Sequence, residues 1–143
     1  MLNSWIFYAL LSAVFASSVA IFGKIGLKDI DSNTATAIRA VIMALFLVGL
    51  ILVQGKYTVA KQIVGQSTPM FYIVLSGLAG ALSWLFYFLA LKNGKASQIV
   101  PIDRLSVVFA IVLAFIFLGE KVSLKTVIGG ATIVIGAILV ALG

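Results

Sequence analysis

The sequence predicts an all-α integral membrane protein with five transmembrane helices. Of its 143 residues, 63% are hydrophobic and 10% are charged, whereas soluble domains are about half apolar and a quarter charged. Five apolar runs of about 20 residues follow one another along the chain. As helices, such runs cross a hydrocarbon core of roughly 30 Å. Nearly the whole chain is therefore expected to lie within a membrane.

The first two spans are predicted to form a tight hairpin. Span one runs from about Trp5 to Leu27 and span two from about Thr34 to Val53, with Asp31 or Ser32 as the helix N-cap between them. The longer connection that follows, residues 54–68, predicts a short interfacial helix at about Val59–Val64.

The remaining spans follow from further turn signals. Pro69 opens span three, which ends near Leu91, and Gly94 is the predicted helix stop. Span four is expected at about 96–118, and Ser123 caps span five, which runs to Gly143. Because every connection is short, residues 1–143 are predicted to form a single domain with no aqueous part.

Lysine and arginine give the chain almost no orientation bias. Four lysines fall on the same side of the membrane as the N-terminus. Three lysines fall on the opposite side, or six cations when those near the span ends are added. Since cytoplasmic loops normally carry the excess, this sequence is compatible with insertion in both orientations.

Composition also excludes several classes of function. The net charge of +6 comes from cations scattered singly at the ends of apolar runs, a placement that suits lipid headgroups better than nucleic acid. Cysteine and histidine are absent and only four acidic residues occur. We therefore expect no enzyme, no metal site and no cofactor.

Several stretches carry a family resemblance that covers nearly the whole chain. They are "SSVAIFGKIGL", "AIRAVIMALFL", "ALSWLFYFLALKNGKASQIVPI" and "FLGEKVSLKTVIGGATIVIGAILV". In these the chain resembles the EamA domain of the drug/metabolite transporter superfamily, in its small single-domain form. The resemblance implies a five-helix half of an inverted-repeat transporter, located in a prokaryotic cytoplasmic membrane.

A half of this kind must pair with another half. Many transporters use two repeats related by a pseudo-twofold axis in the membrane plane. A single chain without orientation bias supplies both repeats as an antiparallel homodimer. We therefore predict a homodimer with dual topology, whose other partners are membrane lipid and a small-molecule substrate.

Span three predicts one wall of a substrate cavity. At 100° per residue, an arc of about 80° collects its small and hydroxylated residues, which are Tyr72, Ser76, Gly80, Ser83, Tyr87 and Ala90. Trp84 lies about 60° to one side. Ser76 and Ser83 would supply hydrogen bonds, and Trp84 and Tyr87 aromatic surface. The alternative is that this face only packs helices together.

Cations near the span ends have two interpretations. Ser17 and Lys24 lie on one small-residue face of span one, and Arg39 lies five residues into span two. Both cations are explained by snorkelling toward headgroups. Alternatively, Lys24 is a counter-ion for an acidic substrate or Asp103, and the resemblance supports a substrate-binding role for Arg39.

Asp103 and Arg104 are unusual because they lie inside the fourth apolar run. They follow Ala96 by seven and eight residues, or roughly 10 to 12 Å of helix, and an intramembrane charge requires a partner or a wet cavity. We expect Pro101 to break the helix, placing Asp103 and Arg104 in the first turn of a half-helix that faces the transport path. Alternatively, the span simply begins at Pro101.

In span five, Gly129, Gly136 and Gly143 repeat every seven residues, with Thr132 between them on nearly the same face. They predict a close-packing seam, either within the helix bundle or between protomers.

Three functions are compatible with the sequence. The preferred one is a secondary transporter of a small metabolite, such as an amino acid or a related compound, that works by alternating access. The second is a flippase for a lipid-linked sugar, and the third is a non-transporting membrane subunit or assembly factor.

Overall fold

The computed structural model describes residues 4–143, in which every regular element is an α-helix. In chain order these helices are α1 (Ser4–Gly26), α2 (Ser32–Val53), α3 (Tyr57–Val64), α4 (Ser67–Asn93), α5 (Ala96–Asp103), α6 (Ser106–Leu118) and α7 (Leu124–Leu142).

Five segments within residues 4–143 are long and apolar enough to cross a membrane: α1, α2, α4, the α5–α6 pair taken together, and α7. Large apolar side chains on them are mostly exposed, including Phe46 and Leu45 at 70% and 68%. Such a surface is stable in hydrocarbon and not in water, because exposed apolar area is costly only where water covers it. The prediction of an all-α, multi-pass membrane protein is confirmed.

Helix starts follow their predicted caps. The Asp31 carboxylate accepts a hydrogen bond from the Thr34 backbone N–H at 2.7 Å and one from its hydroxyl at 2.9 Å, so α2 begins at Ser32, two residues before the predicted start. Ser123 likewise accepts from the Thr126 N–H at 3.1 Å and caps α7. The short helix α3 also forms, two residues longer at its N-terminus than predicted.

The fourth span is interrupted, but not where the sequence predicted. Pro101 lies within α5, and the interruption falls at Arg104 and Leu105. Asp103 is consequently the last residue of α5 and Arg104 its C-cap, so the prediction that both begin a half-helix is wrong. The alternative start at Pro101 is also wrong, because α5 begins at Ala96.

Backbone hydrogen bonds explain this difference. Leu105 N–H donates to Ile102 at 2.9 Å, and Val107 N–H donates to Arg104 at 3.0 Å. These i→i−3 bonds are those of a 3₁₀ turn, which is tighter than an α-turn. Pro101 has no N–H to donate, but α5 continues past it to Asp103, and the tighter i→i−3 bonds follow there.

The helices belong to two compact units. The central unit comprises Leu27–Lys92 and contains α2, α3 and α4. The terminal unit combines α1 with Asn93–Gly143. The single domain of residues 1–143 stays a prediction.

In the terminal unit, α5 packs against α7 and α1, and α6 packs against α7. The Gln98 side-chain amide donates to the Ala141 carbonyl at 3.2 Å and fastens α5 to the end of α7. Gly130 is the buried glycine of α7, since a Cβ there would meet the Ile111 side chain at 3.6 Å.

The predicted glycine seam lies on a different face of α7. Open space surrounds Gly129 and Gly136, with no atom within 4 Å of a Cβ added at either position. Within the terminal unit, therefore, these two glycines do not form a close-packing seam. The alternative, a contact between protomers, stays a prediction.

The carboxylate of Asp31 makes one stability prediction. Its hydrogen bonds from the Thr34 backbone and hydroxyl lower the pKa of Asp31 below its usual value. Because the folded pKa is the lower one, this stabilisation is complete above the usual value and is lost as the pH falls through the folded pKa. We expect the melting temperature of purified protein to decrease below about pH 4, and to decrease less in Asp31→Asn, which keeps a capping oxygen.

Glu120→Gln provides the control, since Glu120 is an exposed carboxylate that caps no helix. Melting temperature is measured from pH 7 downward for all three proteins. Identical curves for the native chain and Asp31→Asn contradict the prediction.

Candidate functional site

The central unit contains a cavity of about 440 Å³ between α2 and α4. Its volume lies within the range of small-molecule sites, roughly 300 to 1,000 Å³. From α2 it is lined by Asn33, Thr36, Ala37, Arg39, Ala40 and Met43, and from α4 by Gly77, Gly80, Ala81, Trp84 and Leu85.

Arg39 contributes the one charged side chain of this lining. It lies seven residues beyond the first residue of α2, or about 10 Å along the helix. Its guanidinium carbon lies 3.7 Å from the centroid of the Trp84 ring and 4.4 Å from that of Phe88. The cation is therefore held against two aromatic rings, a contact worth about 2 kcal/mol where water is excluded.

The same guanidinium has unused hydrogen-bonding capacity. Nε and Nη2 of Arg39 are buried and have no hydrogen-bond partner, and Nη1 faces the Met43 sulfur at 3.8 Å, which is a weak acceptor. Among residues 4–143, no carboxylate forms an ion pair with it. Leaving buried donors unsatisfied costs roughly 1 to 3 kcal/mol each, so this arrangement requires an explanation.

Three aromatic rings on α4 form the support beneath the cation. The Trp84 and Tyr87 rings meet edge to face at 5.7 Å, and the Trp84 and Phe88 centroids lie 5.8 Å apart. Phe88 is almost fully buried, with 3% of its surface exposed. Because Phe88 and Tyr87 restrict the Trp84 ring, that ring is a fixed wall of the cavity.

The cavity face of α4 differs from the predicted stripe. Trp84 and Gly80 line the cavity, but the lining does not include Ser76 or Ser83, both of which are exposed. Around the axis of α4, the lining residues are centred roughly 100° from the centre of the predicted stripe, which is about one residue step. The lining and the stripe share Gly80. Tyr87 contacts Trp84 from outside the lining.

The other predicted site residues lie in the terminal unit. Lys24 donates a 2.8 Å hydrogen bond to the Gly94 carbonyl, and the Ser17 hydroxyl donates to Val14 within its own helix at 2.7 Å. Asp103 is half-buried and Arg104 is exposed at the end of α5. No hydrogen bond or ion pair of the Asp103 side chain occurs within the described part of the chain. Their roles in substrate binding stay predictions.

Several cavity residues were missed from the sequence. On α2 the lining residues recur at intervals of three, four and three positions along the chain, at Asn33, Thr36, Ala40 and Met43. This helical spacing, on the same helix as an intramembrane arginine, was the available signal. Gly77 was missed because it lies outside the stripe of small and hydroxylated residues on α4.

A second cavity of about 420 Å³ lies in the terminal unit between α6 and α7. Its lining is apolar apart from Thr126 and carries no charge. A groove of this kind suits lipid chains and offers nothing to orient a polar ligand. Across residues 4–143, no group of three acidic, histidine or cysteine side chains is suited to hold a metal.

Comparison with known proteins gives consistent matches. The model of the EamA-like transporter family matches residues 3–142. A Sinorhizobium protein named "uncharacterized transporter in cobO 3'region" is 41% identical over 141 residues, covering 99% of both chains. An uncharacterized protein of Methanocaldococcus jannaschii is 32% identical over 71 residues, which is 50% of this chain and 52% of that one. No solved structure gives a significant match.

The stacked cation predicts an energetic coupling between α2 and α4. In a double-mutant cycle of Arg39→Met and Trp84→Leu, we expect a favourable coupling of about 0.5 to 2 kcal/mol in the free energy of unfolding, because each single change removes the same contact. Denaturant titration of the four proteins in detergent measures it.

The control cycle pairs Arg39→Met with Phe71→Leu, at an exposed position 13 residues before Trp84 on α4. Its coupling is expected near zero. A coupling no larger than that of the control means that the stacking does not stabilise the fold.

Proposed function

Because this chain belongs to the EamA-like transporter family, it is a membrane transporter, and we propose that it carries a small metabolite by alternating access. The family is one of transporters, and five segments of residues 4–143 are long and apolar enough to cross a membrane. We further propose that the protein resides in the cell membrane of a prokaryote and acts without a cofactor.

The observation that carries this proposal is the Arg39 guanidinium beside the cavity of the central unit. A cation inside a spanning helix is costly, and such residues usually mark the path of a substrate or ion. A role in packing alone would be served by an apolar side chain, which needs no compensation. The cavity also combines an apolar wall with a few polar groups, the usual composition of a small-molecule site.

The transporting form is proposed to be an antiparallel homodimer with dual topology. Five spans put the two ends of the chain on opposite sides of the membrane, and the balanced cations allow both orientations. Two oppositely inserted copies would then supply the two inverted repeats that alternating access commonly uses. A reporter fused to the C-terminus and found on one side only would exclude the dual topology.

Transport is tested with the purified chain in lipid vesicles. Uptake of labelled amino acids, organic acids, sugars and nucleosides is measured against protein-free vesicles. Movement of a fluorescent lipid in the same vesicles identifies a flippase, and no movement of any compound favours the non-transporting subunit.

Trp84 is expected to control the uptake that this screen finds. We predict that Trp84→Ala reduces uptake at least about tenfold, because it removes the aromatic wall and the support of Arg39, a loss of about 1.4 kcal/mol or more. Trp84→Phe keeps a ring and is expected to retain part of the activity.

Trp5→Ala is the matched control, since Trp5 is the other of the two tryptophans and is 66% exposed on α1. Equal amounts of inserted protein are verified for every variant. Full uptake by Trp84→Ala removes Trp84 from the substrate site.

Asp103 makes a separate prediction, since its carboxylate is half-buried within the fourth span. Asn has nearly the same shape but cannot ionise, so Asp103→Asn is expected to abolish uptake or change its pH dependence at unchanged expression. Uptake is measured from pH 5 to 8 for the native chain and the variant.

Asp29→Asn is the control, because Asp29 lies between the first two spans with φ of 61°, a conformation that Asn tolerates. Lower expression of Asp103→Asn, with normal activity per molecule, indicates a structural role instead.

A further inference from the structure

The two unpartnered nitrogens of Arg39 lie on one edge of the guanidinium. Nε and Nη2 are both buried without a hydrogen-bond partner, and in any arginine the Nε–H and one Nη2–H bond run nearly parallel. That pair matches the two oxygens of a carboxylate or a phosphate and binds them bidentately. The unpaired donors of Arg39 therefore form a fork, defined as the two parallel N–H groups of Nε and Nη2.

The aromatic contact leaves this fork usable. The guanidinium carbon lies 3.7 Å from the Trp84 ring centroid, so the contact uses the face of the cation, whereas the N–H bonds lie in its plane. Because Nε is bonded to Cδ, the guanidinium does not turn alone, and a change in the Arg39 side-chain torsions is needed to bring the Nε–Nη2 edge to a ligand in the cavity. In the described conformation this edge is buried, and Arg39 is one of the residues that line the cavity.

Space for a ligand exists beside the cation. Gly77 and Gly80 line the cavity opposite α2, and a Cβ added at either would meet no atom within 4 Å. Asn33 supplies an amide to the lining, and the other residues are mostly apolar. The volume of about 440 Å³ suits a compact metabolite and is small for a lipid with long chains.

We infer that this cavity binds the carboxylate or phosphate group of a compact substrate through Nε and Nη2 of Arg39, with the apolar part of the substrate beside Trp84. The inference rests on the proposed transport function and names the class of its substrate. The ligand oxygens satisfy the two buried donors, and its charge neutralises the intramembrane cation. A neutral amide of the same shape offers one acceptor oxygen in place of two and does not neutralise the cation.

The test compares two probes that differ in charge at one group. Benzoate and benzamide have the same aromatic ring, and benzamide has an uncharged amide in place of the carboxylate. Melting temperature of the purified full chain in detergent is measured against the concentration of each probe, and inorganic phosphate is titrated as a third probe. Benzoate is expected to bind at least about tenfold more tightly than benzamide, since charge-assisted bidentate bonds are the stronger kind.

Two variants assign this preference to Arg39. Arg39→Lys keeps the charge but has neither the fork nor the planar face, and Arg39→Gln loses the charge as well. Both are expected to lose at least about tenfold in benzoate affinity. Lys61→Gln, on the exposed helix α3 and outside the cavity lining, removes the same unit of charge and is expected to bind benzoate as the native chain does.

The outcomes separate this inference from the transport function. Equal binding of benzoate and benzamide by the native chain, or an equal loss in Lys61→Gln and Arg39→Gln, overturns the anion site even if the arginine variants fold poorly. Arg39-dependent benzoate binding without uptake of any compound in vesicles overturns the transport function and leaves the site standing.

Uptake restricted to uncharged compounds overturns the anion site and leaves the transport function standing. The source of the anion is identified by adding phosphatidylglycerol or phosphatidylcholine to the benzoate titration. Competition by the anionic lipid alone assigns the site to a lipid phosphate and overturns the assignment to a compact substrate.

Discussion

The contact of the Arg39 guanidinium with the Trp84 and Phe88 rings is the constraint on which the central unit depends. An arginine at the centre of a spanning helix costs at least about 2.5 to 3.5 kcal/mol, and Arg39 lies about a third of the way along α2, between that centre and the helix start. Stacking on desolvated rings contributes about 2 kcal/mol. The stacking therefore offsets part of the cost of this cation, while Nε and Nη2 stay without a hydrogen-bond partner. These unpaired donors distinguish a binding group from a structural one, because an arginine whose donors are all paired has none available for a ligand.

The same balance explains the composition around the cavity. Glycine and alanine on α4 leave room beside the cation, and the large rings of Trp84, Tyr87 and Phe88 follow on the same helix. Phe88 is buried while Trp84 is partly accessible, so one ring anchors the cluster and the other presents a surface. A rigid aromatic wall limits the entropy lost on binding, since the site requires little ordering when the ligand arrives.

Features of this protein that depend on neighbouring residues in the chain were predictable from its sequence. The five spans follow from apolar length, and the Asp31 and Ser123 caps follow from hydrogen bonds within three residues. Features that depend on a second helix were harder to predict. The cavity face of α4 is set by where α2 lies, so a wheel drawn on α4 alone missed it by roughly one residue step. The interruption near Pro101 was misplaced because proline removes one donor but does not dictate which later turn tightens.

The 3₁₀ turn at Arg104 and Leu105 changes the rotation and the rise per residue within the fourth span. Each 3₁₀ residue advances about 120° and 2.0 Å, against 100° and 1.5 Å in an α-helix, so two such residues shift the rotation of the helix by roughly 40° and its length by about 1 Å. Side chains before and after the turn therefore occupy different azimuths from those that an uninterrupted α-helix would give them.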